Sequence, residues 1–161
     1  MSSVDDRVAA WRREFPEIEP LVLQLVSQAR QLAAVLDALD EQVLEPFEIS
    51  LGEFELLSAL RCSGVPYRAT PSSLAGQLRC SSGGVTKRVK KLESGGYVGR
   101  SADPEDGRGT LVFLSQRGLD LQERIFRTFS AAAESRLGSI DERRARSIVD
   151  ALRSLTEALE A

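Results

Sequence analysis

Six cations fall within residues 79–100: Arg79, Lys87, Arg88, Lys90, Lys91 and Arg100, against one carboxylate, Glu93. This stretch carries a net of +5, whereas residues 1–60 carry a net of −8. A short positive island in an acidic body suits localised contact with phosphates or another anion. The plainer use of such a run is a solvated helix face. The chain as a whole has 161 residues, 21 basic and 24 acidic, for a formal net charge of −3. That balance argues against a nonspecific nucleic-acid coat.

Other chemistries find little support. Histidine is absent, which removes Ser-His-Asp and Cys-His catalysis and any zinc site built on imidazole. Cys62 and Cys80 lack the close spacing of a metal motif and are too few for a disulfide framework. They read as two thiols, with a disulfide or redox switch as the alternative. The carboxylates Glu53 and Glu55 stand two apart on a helix and face different ways. Asp103, Glu105 and Asp106 sit in a turn, where such residues ordinarily solvate the chain. With no Gly-rich phosphate loop either, the expectation is a protein that is not an enzyme and needs neither cofactor nor metal. No apolar run approaches the roughly 18 residues that cross a bilayer. The charged N-terminus lacks the apolar core of a signal peptide. A cytoplasmic protein with no membrane partner is expected.

The elements that must position the basic island are mostly helical. Residues 4–14 suit a short helix, with Asp5 and Asp6 near its positive end. From Leu21 to Val43 the apolar positions Leu25, Ala29, Leu32, Leu36, Leu39 and Val43 step by four and three, a heptad-like seam that Pro46 ends. Ser50 and Glu53 have capping-box spacing before a helix carrying Phe54, Leu57, Ala59 and Leu60. Thr70-Pro71 opens a short helix that ends near Arg79. Cys80-Ser81-Ser82 makes a tight turn into the basic helix, which Gly95-Gly96 stops. Residues 97–101 and 110–114 read as two strands joined by a loop rich in Asp, Pro and Gly. Ser115 caps a helix to about Leu137, with Leu121, Ile125, Phe129 and Ala132 spaced for burial. Asp141 caps a last helix bearing Ile148, Leu152, Leu155 and Leu159.

Two short helices joined by a tight turn, the second basic, then a hairpin, make the layout of a winged helix-turn-helix with a two-stranded β wing in a mainly α protein. Angular positions on the basic helix support it. At about 100° per residue from Val85, the side chains of Val85, Val89 and Leu92 centre near about 7°. Lys87, Lys90 and Lys91 fall between about 140° and 240°, and Thr86 near about 100°. One face can pack while the other meets phosphates and base edges. Ser81, Ser82, Thr86, Lys87, Lys90, Lys91 and, from the wing, Arg108 are therefore the candidate DNA contacts. Arg88 falls near about 300°, at the margin of the apolar stripe. It could reach into an interhelical cleft and hold an anion, or face DNA, or form a salt bridge.

At this point the chain resembles the MarR-type transcriptional regulators. The resemblance is carried by Val85 to Val98, then Arg100, the wing residues Asp103 to Arg108, and Val112-Phe113-Leu114-Ser115 with Gly118. Tyr97 stands for the family's usual leucine and Ser115 for its usual threonine. Gly107 replaces the second residue of the common Asp-Arg-Arg, so the wing has one positive charge fewer. The match covers residues 50–118, and the flanking helices fit by pattern. It implies one MarR-like domain over residues 1–161. Residues 1–46 would supply N-terminal helices for dimerisation and a ligand site, 50–115 the winged helix-turn-helix, and 116–161 the C-terminal dimerisation helices. It also implies a homodimer that binds near-palindromic double-stranded operator DNA. The two apolar seams offer surface for that pairing, or for packing within one chain.

A narrower resemblance involves Asp6 to Trp11 and Phe15-Pro16-Glu17, which look like the added N-terminal helix of the urate-responsive branch. That branch implies a small anionic, urate-like effector held by Trp11, Glu55, Arg88 and Arg100. Glu55 stands where the branch usually has aspartate, one methylene shorter. Each residue has a plainer use: Trp11 as a core or dimer contact, Arg88 as above, Arg100 as a phosphate contact. The expectation is a sequence-specific transcriptional regulator, a repressor released by a small anionic or aromatic ligand. The alternative is a winged-helix adaptor that binds protein and not DNA.

Overall fold

Local signals open nearly every helix. The computed structural model describes residues 4–104 and 109–161. Helix α1 (Val4–Glu14) has Asp5 and Asp6 in its first turn and Arg12 and Arg13 in its last, both favourable to the helix dipole. Helix α2 (Pro20–Leu44) begins with proline in its first turn, where the missing N–H is no loss. A single 3-10 turn, Glu45–Phe47, follows, and Glu48 takes a left-handed φ of 55° to redirect the chain.

Helix α3 (Leu51–Cys62) starts after Ser50, whose N–H donates to the Glu53 carboxylate at 2.8 Å. The Thr70 hydroxyl accepts from Ser73 N–H at 3.2 Å and opens α4 (Pro71–Gln77). Ser81 does the same for α5 (Ser82–Ser94), accepting from Gly84 N–H at 3.2 Å. Gly96, with φ 71°, turns the chain out of α5 into the sheet. Ser115 caps α6 (Gln116–Leu137) through Gly118 N–H, and Asp141 caps α7 (Glu142–Glu160) through Arg144 N–H.

The sheet has three antiparallel strands in the order β1-β3-β2: β1 (Arg68–Ala69), β2 (Val98–Ala102) and β3 (Thr110–Leu114). The hairpin pairs Val98 with Leu114 and Ala102 with Thr110. The two wing strands lie where the periodicity puts them, the first displaced by one residue. The third is a two-residue strand that pairs Arg68 with Phe113 and Ala69 with Val112. No alternation can be read from two residues, so only the long-range pairing reveals it.

Helix α3 is the hub. Its Leu56, Leu57 and Leu60 are fully buried among Leu74 of α4, Val85, Val89 and Leu92 of α5, Val112 of β3 and Ile125 of α6. All three apolar residues assigned to the inner face of α5 are buried. Gly118 is obligatory in this packing, because a Cβ there would lie 2.0 Å from the Tyr97 carbonyl oxygen. The flanking helices differ. None of the α7 residues is buried, and Ile148 and Leu152 are exposed. On α2, Leu25, Leu32 and Leu36 are exposed too, so most of each seam is left uncovered within one chain. Among the described residues no helix is long and apolar enough to cross a membrane.

Candidate nucleic-acid interface

The buried stripe of α5 fixes where its polar side chains go. Lys87 and Lys90 leave the helix opposite that stripe, are exposed, and form no ion pair with a described residue. Thr86 is also exposed, and its hydroxyl donates to the Ser82 carbonyl at 2.9 Å, leaving the oxygen free to accept. Ser81 and Ser82 stand at the helix start, the end that carries the positive dipole. Together these residues present donors and two free ammonium groups on one face. Arg108, the wing residue expected to contact DNA, lies outside the described residues.

Lys91 is placed differently from the other lysines. Its ammonium turns back onto α3 and lies 3.1 Å from both carboxylate oxygens of Glu53. The Glu53 side chain is only 4% exposed. Burial pushes this carboxyl up, but the hydrogen bond from Ser50 N–H and the adjacent Lys91 ammonium outweigh it. The net result lies below the ordinary value of 4.5.

One turn earlier, Arg88 leans over the same helix. Its Nη1 lies 3.4 Å from Glu55 Oε2. The guanidinium rests on Gly52, where a Cβ would come within 2.5 Å of Cζ. A cleft of about 330 Å³ opens here, lined by Ser50, Gly52, Lys87, Arg88 and Lys91 among others. A larger cleft of about 780 Å³ lies between the end of α2 and the start of α3, with Asp37, Asp40 and Glu41 on its wall. Burial, and the neighbouring Asp37 and Glu55 charges, raise the Asp40 carboxyl above its ordinary 3.8.

Of the four residues expected around a ligand, the fold joins two, Glu55 and Arg88. Arg100, on β2, pairs instead with Glu93 of α5 at 3.3 Å. Trp11 packs against Phe15 with ring centroids 5.5 Å apart, on a helix that lies along α2, and is 54% exposed. Sequence reasoning missed Gly52 and Asp40, and gave Glu53 a capping role alone. A glycine in a helix that costs stability relative to alanine is itself a signal of close packing. Nothing local marks Asp40.

A winged helix-turn-helix with a cationic outward face on its second helix defines a nucleic-acid-binding class of protein. The sequence model of the MarR family matches residues 49–110. The chain is 32% identical over 111 residues to the multiple antibiotic resistance protein MarR of Escherichia coli, spanning 68% of this chain and 71% of that one. It is 27% identical over 122 residues to the transcriptional regulator PecS of Dickeya dadantii, 76% and 74% of the two chains. The fold matches a mutant of Escherichia coli MarR complexed with operator DNA, with a TM-score of 0.72 and 25% identity over 88% of this chain and 96% of that one. It also matches BpsR of Bordetella bronchiseptica, whose DNA binding is regulated by 6-hydroxynicotinic acid, with a TM-score of 0.69 and 22% identity over 83% and 98%. This chain belongs to the MarR family of transcriptional regulators.

Proposed function

We propose that the protein is a repressor that binds near-palindromic operator DNA as a homodimer and is released by a small anionic or aromatic ligand. The observation that carries the DNA reading is the pair of free ammonium groups, Lys87 and Lys90, opposite the buried stripe of α5. That helix enters the major groove, Ser81, Ser82 and Thr86 supply further donors and acceptors, and Arg108, outside the described residues, is the wing contact expected from the family resemblance. The exposed apolar seams of α2 and α7 support a two-fold partner.

The ligand reading rests on the Arg88–Glu55 pair. A guanidinium held at 3.4 Å by a half-exposed carboxylate is loosely engaged and open to a competing oxyanion. An anion that takes Arg88 from Glu55 would shift α5 relative to α3, and so favour a dimer whose recognition helices no longer match the groove spacing. BpsR, with the same fold, offers 6-hydroxynicotinate as a first probe, beside urate. Trp11 and Arg100 would join the site only through rearrangement or across a dimer.

Mobility shift on the DNA upstream of the protein's own coding sequence tests the first part. Changing Lys87 and Lys90 to glutamate should abolish the shifted band. Undiminished binding by that double variant rules out the groove reading. For the second part, an Arg88→Ala protein that releases DNA at the parent's effector concentration shows that Arg88 does not sense the ligand.

A further inference from the structure

Arg88 and Lys91 leave α5 on one flank and both end on the N-terminal half of α3, Lys91 on Glu53 in its first turn and Arg88 on Glu55 two residues further on. Lys87 and Lys90 leave on the outward side and end in solvent. The four cations of this helix are therefore not equivalent. We propose that Lys91 is a positioning residue: its ammonium, seated across both oxygens of the buried Glu53 carboxylate, sets the angle of the recognition helix and takes no DNA phosphate of its own. The inference rests on the DNA-binding reading above.

The asymmetry of the pair is the argument. The Glu53 side chain is 4% exposed and also accepts from Ser50 N–H at 2.8 Å, so it is fixed to the start of α3. The Lys91 side chain is 60% exposed, so its stem is free to move and only the carboxylate holds its tip. Taking the ammonium to a phosphate would leave a buried carboxylate without its countercharge, a costly state. Staying on Glu53 keeps the last turn of α5 on α3 while Val85, Val89 and Leu92 fix the inner face. A helix located by an apolar stripe alone can still roll or slide. An ion pair off the stripe fixes that freedom.

The test separates a phosphate contact from a positioning contact by salt dependence, since each phosphate neutralised adds about 0.9 to the slope of log affinity against log salt. Operator binding by the intact chain is measured from about 50 to 200 mM salt for the parent, Lys87→Gln, Lys91→Gln, Lys91→Arg, Glu53→Gln and the Glu53→Gln/Lys91→Gln double variant. Lys87→Gln removes one contact from each protomer of the dimer and should flatten the slope by about two units. Lys91→Gln should weaken binding at unchanged slope, Glu53→Gln should weaken it at a slope no flatter than the parent's because the ammonium is released, and the double variant should lose no more than Lys91→Gln alone. Lys91→Arg should restore part of the loss.

A Lys91→Gln slope as flat as that of Lys87→Gln, or a Glu53→Gln protein that is folded and binds as the parent does, overturns the proposal. A second readout needs no DNA. Carbon-13 titration of the Glu53 carboxyl should move upward in Lys91→Gln. A carboxyl that titrates as in the parent overturns the proposal as well. If the parent binds no DNA, the DNA-binding reading falls, and the carboxyl titration alone decides whether Lys91 is held by Glu53.

Discussion

Gly52 lies directly under the Arg88 guanidinium, so a single added methyl group tests how that side chain is held. A Cβ at position 52 would stand 2.5 Å from Arg88 Cζ, 2.6 Å from Nε and 2.7 Å from Nη2. Carbon atoms in contact rest at about 3.5–4.0 Å, so the guanidinium must retreat by about 1 Å. Its pair with Glu55 is already 3.4 Å long. A further shift of about 1 Å ends it as a hydrogen bond. The loss is small, because a half-exposed pair contributes at most about 1 kcal/mol. Alanine in place of glycine returns up to about 1 kcal/mol of helix propensity.

Gly52→Ala should therefore melt within about 2–4 °C of the parent, the equivalent of about 1 kcal/mol for a chain of this size. The functional effect should be clearer. An anion would no longer compete with Glu55 for Arg88, so its apparent affinity should rise by up to about fivefold, the equivalent of about 1 kcal/mol. Calorimetric titration with 6-hydroxynicotinate, thermal melting by circular dichroism and a crystal structure of the variant give the three readings. A structure that keeps Arg88 hydrogen-bonded to Glu55, or a melting point lower by much more than about 4 °C, would refute the reasoning.

Three further outcomes follow from the packing and the charges. Leu57→Ala removes a fully buried side chain from the hub helix and should cost about 2–5 kcal/mol in a denaturant melt. A cost under about 1 kcal/mol would mean that the site collapses without strain. The two perturbed carboxyls of the α2–α3 region should act on stability in opposite directions. Glu53, held below its ordinary 4.5, stabilises the fold above that value, and its contribution is lost as the pH falls through its folded-state pKa. Asp40, raised above 3.8, costs stability once the pH rises through its folded-state pKa. Asp40→Asn should thus raise the melting temperature at neutral pH, with the gain vanishing in acid. An equal gain at all pH values would point to something other than this charge. Finally, if the proposed dimer pairs through α7, the parent should have a dimer's mass in light scattering and Leu152→Glu, on the exposed face of that helix, a monomer's; an unchanged mass would refute that interface.

The sequence by itself determined the order of the helices and the wing hairpin, and the inner face of the recognition helix. Helix starts are local events, so Ser50, Thr70, Ser115 and Asp141 could be read as caps from a few neighbouring residues, and each precedes a helix. The burial of Val85, Val89 and Leu92 follows from a period of 3.6, which needs no knowledge of the partner surface. Tertiary structure alone decided what the long cationic side chains do. Their tips lie several bonds from the backbone, and their rotamers answer to whatever another helix presents. Lys90 and Lys91 are adjacent in sequence, yet one ends in solvent and the other on Glu53, 38 residues away. Arg88 settles on α3 because residue 52 has no side chain, and Arg100 turns to Glu93. The strand at Arg68–Ala69 exists only through its pairing with β3. Periodicity reports which side of an element faces inward; only the assembled fold reports which charge meets which.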